Sequence, residues 1–182
     1  MKVPKYFLIV MMALGVTAVM CLKAFADDAK VLDAKVDSSL ENFQKVGGAV
    51  DVLNKAAGVL VFPSVFKGGI GIGGEYGEGA LRVGGKTIDY YNTAAASIGF
   101  QLGGQKKTII MVFMDRAALD KFRASPGWKI GGDISVAVIA VGAGASIDSA
   151  KLNQPIVAFV MDQKGLMYNL TLEGSKLTKI KK

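Results

Sequence analysis

Two hydrophobic periodicities divide this chain. Across 27–57, apolar residues recur every three to four positions: Val31, Leu32, Val36, Leu40, Phe43 and Val46 or Val50. That spacing gathers them on one side of an α-helix. Gly47-Gly48 interrupts the pattern, because glycine is costly inside a helix, and two helices are predicted. Val50, Leu53, Ala56 and Ala57 continue the stripe. It has no basic flank, which favours packing on the domain over lying on a membrane.

From 58 onward the period falls to two. Residues 58–62 read as a buried strand stopped by Pro63. Residues 67–77 alternate small and large, with Ile70 and Ile72 on one side and Gly69, Gly71 and Gly73 on the other. Residues 78–83 form the next strand, and Gly84-Gly85 a hairpin turn to 86–91. Further strands are predicted at 93–102 and 107–114. Asp115 is a suitable N-cap for a short helix that Ser125-Pro126-Gly127 ends. Strand grammar resumes at 128–147, whose charge-free stretch from Ile134 reads as a strand pair turning at 142–144, with a loop dipping into lipid as the alternative. The last strands are 155–162, 165–171 and 176–180. Eight or nine antiparallel strands with helices of this kind make an α+β fold, whose Gly-rich sheet curls into a barrel- or sandwich-like body. Short strands interrupted by a helix, without clean lipid-out alternation, argue against an outer-membrane barrel.

The first 26 residues stand apart. Lys2 and Lys5 precede an uncharged apolar run over 6–22, and Ala24-Phe25-Ala26 is an A-x-A site. This is the pattern of a cleaved secretory leader, and the run is short for a membrane span. A lipoprotein is disfavoured because Met20, not a small residue, precedes Cys21. The expected organisation is therefore a leader at 1–26, a helical segment at 27–57 and a β-rich domain at 58–182, in a periplasmic protein peripheral to a membrane. Removing the leader takes away the single cysteine and lowers the formal net charge from +7 to +4.

The sequence contains no histidine. That excludes imidazole-dependent triads and the commonest metal ligand. Without a mature cysteine there is no thiolate chemistry. No enzyme activity, cofactor or metal is expected. Glu75, Glu78 and Asp89 lack an accompanying nucleophile and read as satisfied turn or cross-strand partners. The G-x-G-x-x-G at Gly69, Gly71 and Gly74 is followed by more β pattern, whereas a dinucleotide loop must open a helix. A glycine face of this kind admits close approach of another element, or lines a groove for an acyl chain.

The run Gly58-Val-Leu-Val-Phe-Pro-Ser-Val-Phe-Lys-Gly-Gly-Ile-Gly-Ile-Gly-Gly-Glu-Tyr-Gly-Glu-Gly79 closely resembles the SYLF domain family. Tyr90-Tyr91, Ser97-Ile-Gly-Phe-Gln-Leu-Gly103, Val112-Phe-Met114, Trp128-Lys-Ile-Gly131, Lys164-Gly-Leu-Met167 and Leu172-Glu-Gly-Ser-Lys176 extend the resemblance from about Leu40 to Lys182. It implies binding of an anionic phospholipid or membrane surface. The phosphoinositides and actin filaments of eukaryotic members do not suit a periplasm, and no nucleic acid is expected. The alternative is an envelope protein with a protein partner at a sheet edge.

Headgroup candidates are the basic residues Lys67, Lys106, Lys107, Arg116, Lys121, Arg123, Lys179, Lys181 and Lys182, since a cation near an anionic bilayer is worth ~1 kcal/mol and several must share one face. Gly69, Ile70, Gly71, Ile72 and Gly73 are the apolar-groove candidates. Trp128, Tyr90, Tyr91, Phe66 and Phe100 are expected in the core, with one or two of them at a membrane interface as the alternative.

Overall fold

The computed structural model describes residues 28–99, 105–142, 146–147, 152–164 and 172–182, with side chains except at 69–72, 97–99 and 163–164. Helices α1 (Ala29–Gln44) and α2 (Ala49–Lys55) flank Gly48, which has φ +83°. Their buried stripe is Leu32, Val36, Phe43, Ala49 and Val52. Val31 and Val50, expected in it, are about half exposed at 47% and 49%. Each stands next to a stripe residue, one helical step off the buried line.

Strand β1 (Gly58–Val83) is 26 residues long. Drawn straight it would run about 85 Å, whereas a domain of this size has a radius of gyration of about 15 Å. It must bend. The three strands expected across 58–83 are therefore one strand with two arms. The first arm pairs with β3 (Gln105–Phe113), and the second with β2 (Lys86–Gly99). Pro63 does not stop β1. It sits in a bulge between Phe62 and Val65, and its carbonyl accepts a hydrogen bond from Thr108 Oγ1 at 3.1 Å.

The arms pack face to face. A Cβ on Gly77 would lie 2.8 Å from the Ser64 carbonyl oxygen and 2.8 Å from Val65 Cγ2. One on Gly79 would overlap the Val61 carbonyl oxygen and approach Phe62 Cδ1 to 2.7 Å. No other residue fits these two places. Close approach therefore falls at Gly77 and Gly79, beyond the glycine face expected at 69–74, where Gly74 meets only ordinary contact at 3.7 Å and the side-chain positions at 69–72 lie outside the described residues.

Gly84 and Gly85, both at positive φ, turn β1 into β2 with Val83 opposite Lys86. Helix α3 (Arg116–Ala124) follows β3 and is capped by Asp115, whose side chain accepts from the Ala117 and Ala118 amides. Strands β4 (Gly127–Lys129), β5 (Ala137–Ala140), β6 (Ile156–Lys164) and β7 (Lys176–Ile180) complete a curled half-barrel in the order β4-β7-β2-β1-β3-β6-β5.

The sheet departs from expectation at one edge. β5 runs parallel to β6, with Ala137 opposite Val157. Across 128–142 only β4 and β5 are strands, because the chain crosses from one sheet edge to the other, packing Ile134, Val136 and Val138 against the inner core on the way. The proposed turn at 142–144 and the strand at 165–171 lie mainly outside the described residues.

Both faces of the sheet are covered. α1 and α2 cover the outer face, where Phe43 meets Phe159 at 4.9 Å between ring centroids. The inner face holds Leu60, Phe62, Leu81 and Tyr91 around Phe122 of α3, which contacts the rings of Tyr91 and Phe113 at 4.9 and 5.0 Å. Trp128 Nε1 donates to the Phe122 carbonyl at 2.8 Å. β3 and β6 are consequently apolar along most of their length, as strands buried on both sides must be.

Replacing Gly79 with Ala should destabilise the fold by about 2–4 kcal/mol, because the added methyl meets backbone rather than a movable side chain. Gly74→Ala, whose Cβ would sit 3.7 Å from the nearest atom, should change stability by less than about 0.5 kcal/mol. Urea unfolding of the two variants distinguishes them.

Candidate functional site at the bend of β1

Where β1 bends, three paired positions carry polar or charged groups. Val65 is opposite Lys107, Phe66 opposite Lys106, and Lys67 opposite Gln105. Lys106 is in turn opposite Lys164 on β6. Strand alternation sends these side chains to two sides. Val65, Lys67, Gln105 and Lys107 belong to the inner side, and Phe66 and Lys106 to the outer side.

On the outer side, Phe66 is 50% exposed, contrary to the core placement expected of it. Lys106 Nζ lies 5.8 Å from the Phe66 ring centroid, within cation–π range. Among the described residues no carboxylate pairs with Lys67 or Lys106.

On the inner side, Lys107 Nζ lies 2.9 Å from Glu75 Oε2, with both side chains more than nine-tenths buried. Lys107 pairs with the first arm of β1, and Glu75 belongs to the second, opposite Ala95. The ion pair therefore ties the arms together beside the bend. Glu75 Oε1 and Gln105 Nε2 are buried with no hydrogen-bond partner among the described residues.

The remaining basic candidates are held elsewhere. Arg123 Nε and Lys179 Nζ converge on the two oxygens of Asp89, at 3.4 and 2.6 Å. Arg116 pairs with Asp120 one turn along α3. Lys121 Nζ stands 5.6 Å from the Trp128 ring. Lys182 Nζ lies 2.5 Å from Glu78 Oε2, and Lys181 is exposed. The structure thus brings Lys67, Lys106 and Lys107 to one end of the sheet, and Arg123 and Lys179 to one carboxylate on the far side of β1. Glu75, Glu78 and Asp89 each have an ion-pair partner, although Glu75 keeps one oxygen unpaired. The backbone of the groove candidates Gly69, Ile70, Gly71, Ile72 and Gly73 forms the bend itself; of their side-chain environments, only that at Gly73 is among the described residues, and it is half-buried.

A polar clamp went unrecognised in the sequence. Arg82 Nη2 reaches Asp37 Oδ1 at 2.6 Å and the Asp33 carbonyl at 3.3 Å, while Thr87 and Tyr90 donate to the Asp33 carboxylate. It pins α1 to the sheet. An aspartate four residues before another on one helix was the available signal, but nothing in the sequence links it to Arg82, some 45 positions away.

Burial and the Glu78 carboxylate push the Tyr76 hydroxyl up to about 12. Burial and Asp89 push Tyr91 to about 12. Burial and Asp33 also raise Tyr90. Among the described residues there is no group of three or more potential metal ligands, and no helix long and apolar enough to cross a membrane.

Residues 94–182 match a family model described as "Ysc84: Las17-binding protein actin regulator". The matched part starts within β2, so the glycine-rich arm of β1 precedes it. No curated protein matches the chain.

Breaking the arm-to-arm ion pair should be costly. Lys107→Met leaves Glu75 buried without its cation and should remove about 3–5 kcal/mol, while Lys107→Met with Glu75→Leu should recover most of that. Equilibrium unfolding of both variants is the check. The tyrosines set an alkaline limit. Because the folded protein holds Tyr76 and Tyr91 above their ordinary value of 10.0, their contribution is complete below pH 10 and is lost as pH rises through 10 towards 12. An ultraviolet pH titration should show these two phenols ionising last, with unfolding alongside.

Proposed function

The C-terminal half of this chain belongs to the Ysc84 family, the SYLF domain family of the sequence resemblance, and from that membership we propose that the protein is a peripheral binder of anionic phospholipid. The bend of β1 is its contact with the membrane. The observation that carries this reading is the half-exposed Phe66 flanked by Lys67 and Lys106, an apolar ring among cations at the end of a stiff sheet.

Such a tip suits the bilayer interface. The ring enters the headgroup region while the ammonium groups meet phosphates. The arms of β1 are locked by close packing and by the Lys107–Glu75 pair, so the tip is presented with little ordering cost. The leader pattern supports export to the periplasm, where phospholipid surfaces are at hand. Family membership adds no catalytic role, as this is not a known enzyme family.

A protein partner is the second reading. The family description names a binding protein, and β5 leaves an outer sheet edge without a neighbouring strand among the described residues.

The test is sedimentation of residues 27–182 with vesicles of defined charge. Binding should require anionic lipid and weaken with salt. Lys67→Gln with Lys106→Gln should lower affinity about 30-fold, from ~1 kcal/mol for each lysine. Arg116→Gln should leave it unchanged. Unaltered binding by the double variant would move the contact away from the bend. Cross-linking to a protein partner with no vesicle binding would favour the second reading.

A further inference from the structure

We propose that the inner side of the bend recognises a vicinal diol on the phospholipid headgroup, as carried by a glycerol phosphodiester. This rests on the membrane reading of the bend and names the class of headgroup it selects.

Two buried polar atoms on facing elements are incomplete. Glu75 Oε1 accepts nothing, although its carboxylate is more than nine-tenths buried and Oε2 takes Lys107 Nζ at 2.9 Å. Gln105 Nε2 has no acceptor among the described residues. Gln105 and Lys107 stand two positions apart on the same side of β3, so the amide and the ion pair are neighbours on one face. A buried polar group left unpaired is unfavourable, and native proteins rarely keep two together without a purpose.

The missing partners have opposite character. Glu75 Oε1 calls for a donor, and Gln105 Nε2 for an acceptor. A hydroxyl can be either. The two atoms lie on different strands and need two partners, and a vicinal pair of hydroxyls supplies both. One hydroxyl then donates to Glu75 Oε1, and the other accepts from Gln105 Nε2. Lys67, cross-strand from Gln105 and on the same side, stands where a phosphate charge is balanced. The ammonium of Lys107 is already committed to Glu75, so it holds the carboxylate in place and leaves the phosphate to Lys67. Both unpaired atoms are shut from bulk water, while Gln105 as a residue is only half-buried, so the diol reaches them past the Gln105 side chain.

The experiment compares two vesicle types of equal charge that differ in the headgroup alcohol. Phosphatidylglycerol and phosphatidylmethanol both carry one phosphodiester charge, and only the first has the vicinal hydroxyls. Residues 27–182 should bind phosphatidylglycerol vesicles about tenfold more tightly, the equivalent of roughly one net hydrogen bond. Gln105→Leu creates no buried unpaired charge. It should bring the two affinities together by weakening the first and leaving the second unchanged. Soluble glycerophosphoglycerol should displace the wild-type protein from phosphatidylglycerol vesicles and leave Gln105→Leu bound. Equal wild-type affinities, or a preference that survives Gln105→Leu, would overturn the diol site while the membrane reading stands. Binding to neither vesicle would overturn both.

Discussion

The whole architecture depends on how closely the two arms of β1 approach. A strand of 26 residues cannot lie flat in a domain of this size. Its arms meet where Gly77 lies against Ser64 and Val65, and Gly79 against Val61 and Phe62. The absence of two side chains sets the spacing between the arms. It also determines which residues enclose the inner face, and so where α3, Tyr91 and Trp128 can fill it. The buried Lys107–Glu75 pair closes the same contact nearer the bend with charge instead of shape. Apolar packing would serve stability equally well there, so a paired charge is better understood by its place beside the surface that meets a ligand.

That constraint also explains why function collects at the bend. Elsewhere the sheet is covered on both faces, by α1 and α2 outside and by α3 with the 130–138 crossing inside. Most of the remaining basic candidates are neutralised by carboxylates, as Arg123 and Lys179 are at Asp89. At the bend the cover ends. Phe66 comes to the surface, Lys67 and Lys106 stand without acidic partners among the described residues, and the inner polar atoms have unmet hydrogen-bonding capacity. A folded core tolerates such incompleteness where something else completes it.

Much of the fold was legible in the sequence, because local rules acted alone. The helix break at Gly47-Gly48, the Asp115 cap, the Gly84-Gly85 hairpin and β7 follow from backbone preference and capping chemistry. The misread elements involve partners distant in sequence. Pro63 reads as a stop because proline lacks an amide proton, yet a bulge opposite Thr108 accommodates it. The continuous β1 could not be inferred from residues that punctuate strands elsewhere. The parallel β5 depends on which edge the crossing chain reaches, which no periodicity encodes. Hydrophobicity alone favours the core for Phe66 and leaves the interface as an alternative; its place at the bend is what exposes it. The basic candidates were visible as residue types, but their sorting into paired and uncommitted groups needed the register of the sheet.

The central claim is that the bend of β1 is the part that touches lipid. It is tested most directly by placing a tryptophan there and measuring quenching by brominated phosphatidylglycerol in vesicles. The account predicts that Phe66→Trp gives fluorescence that shifts to the blue and is quenched, whereas Val50→Trp, equally exposed but on α2, is unaffected. The buried Trp128 should add the same unresponsive background to both. Quenching at position 50 with none at position 66 would contradict the account and move the membrane contact to the helical face.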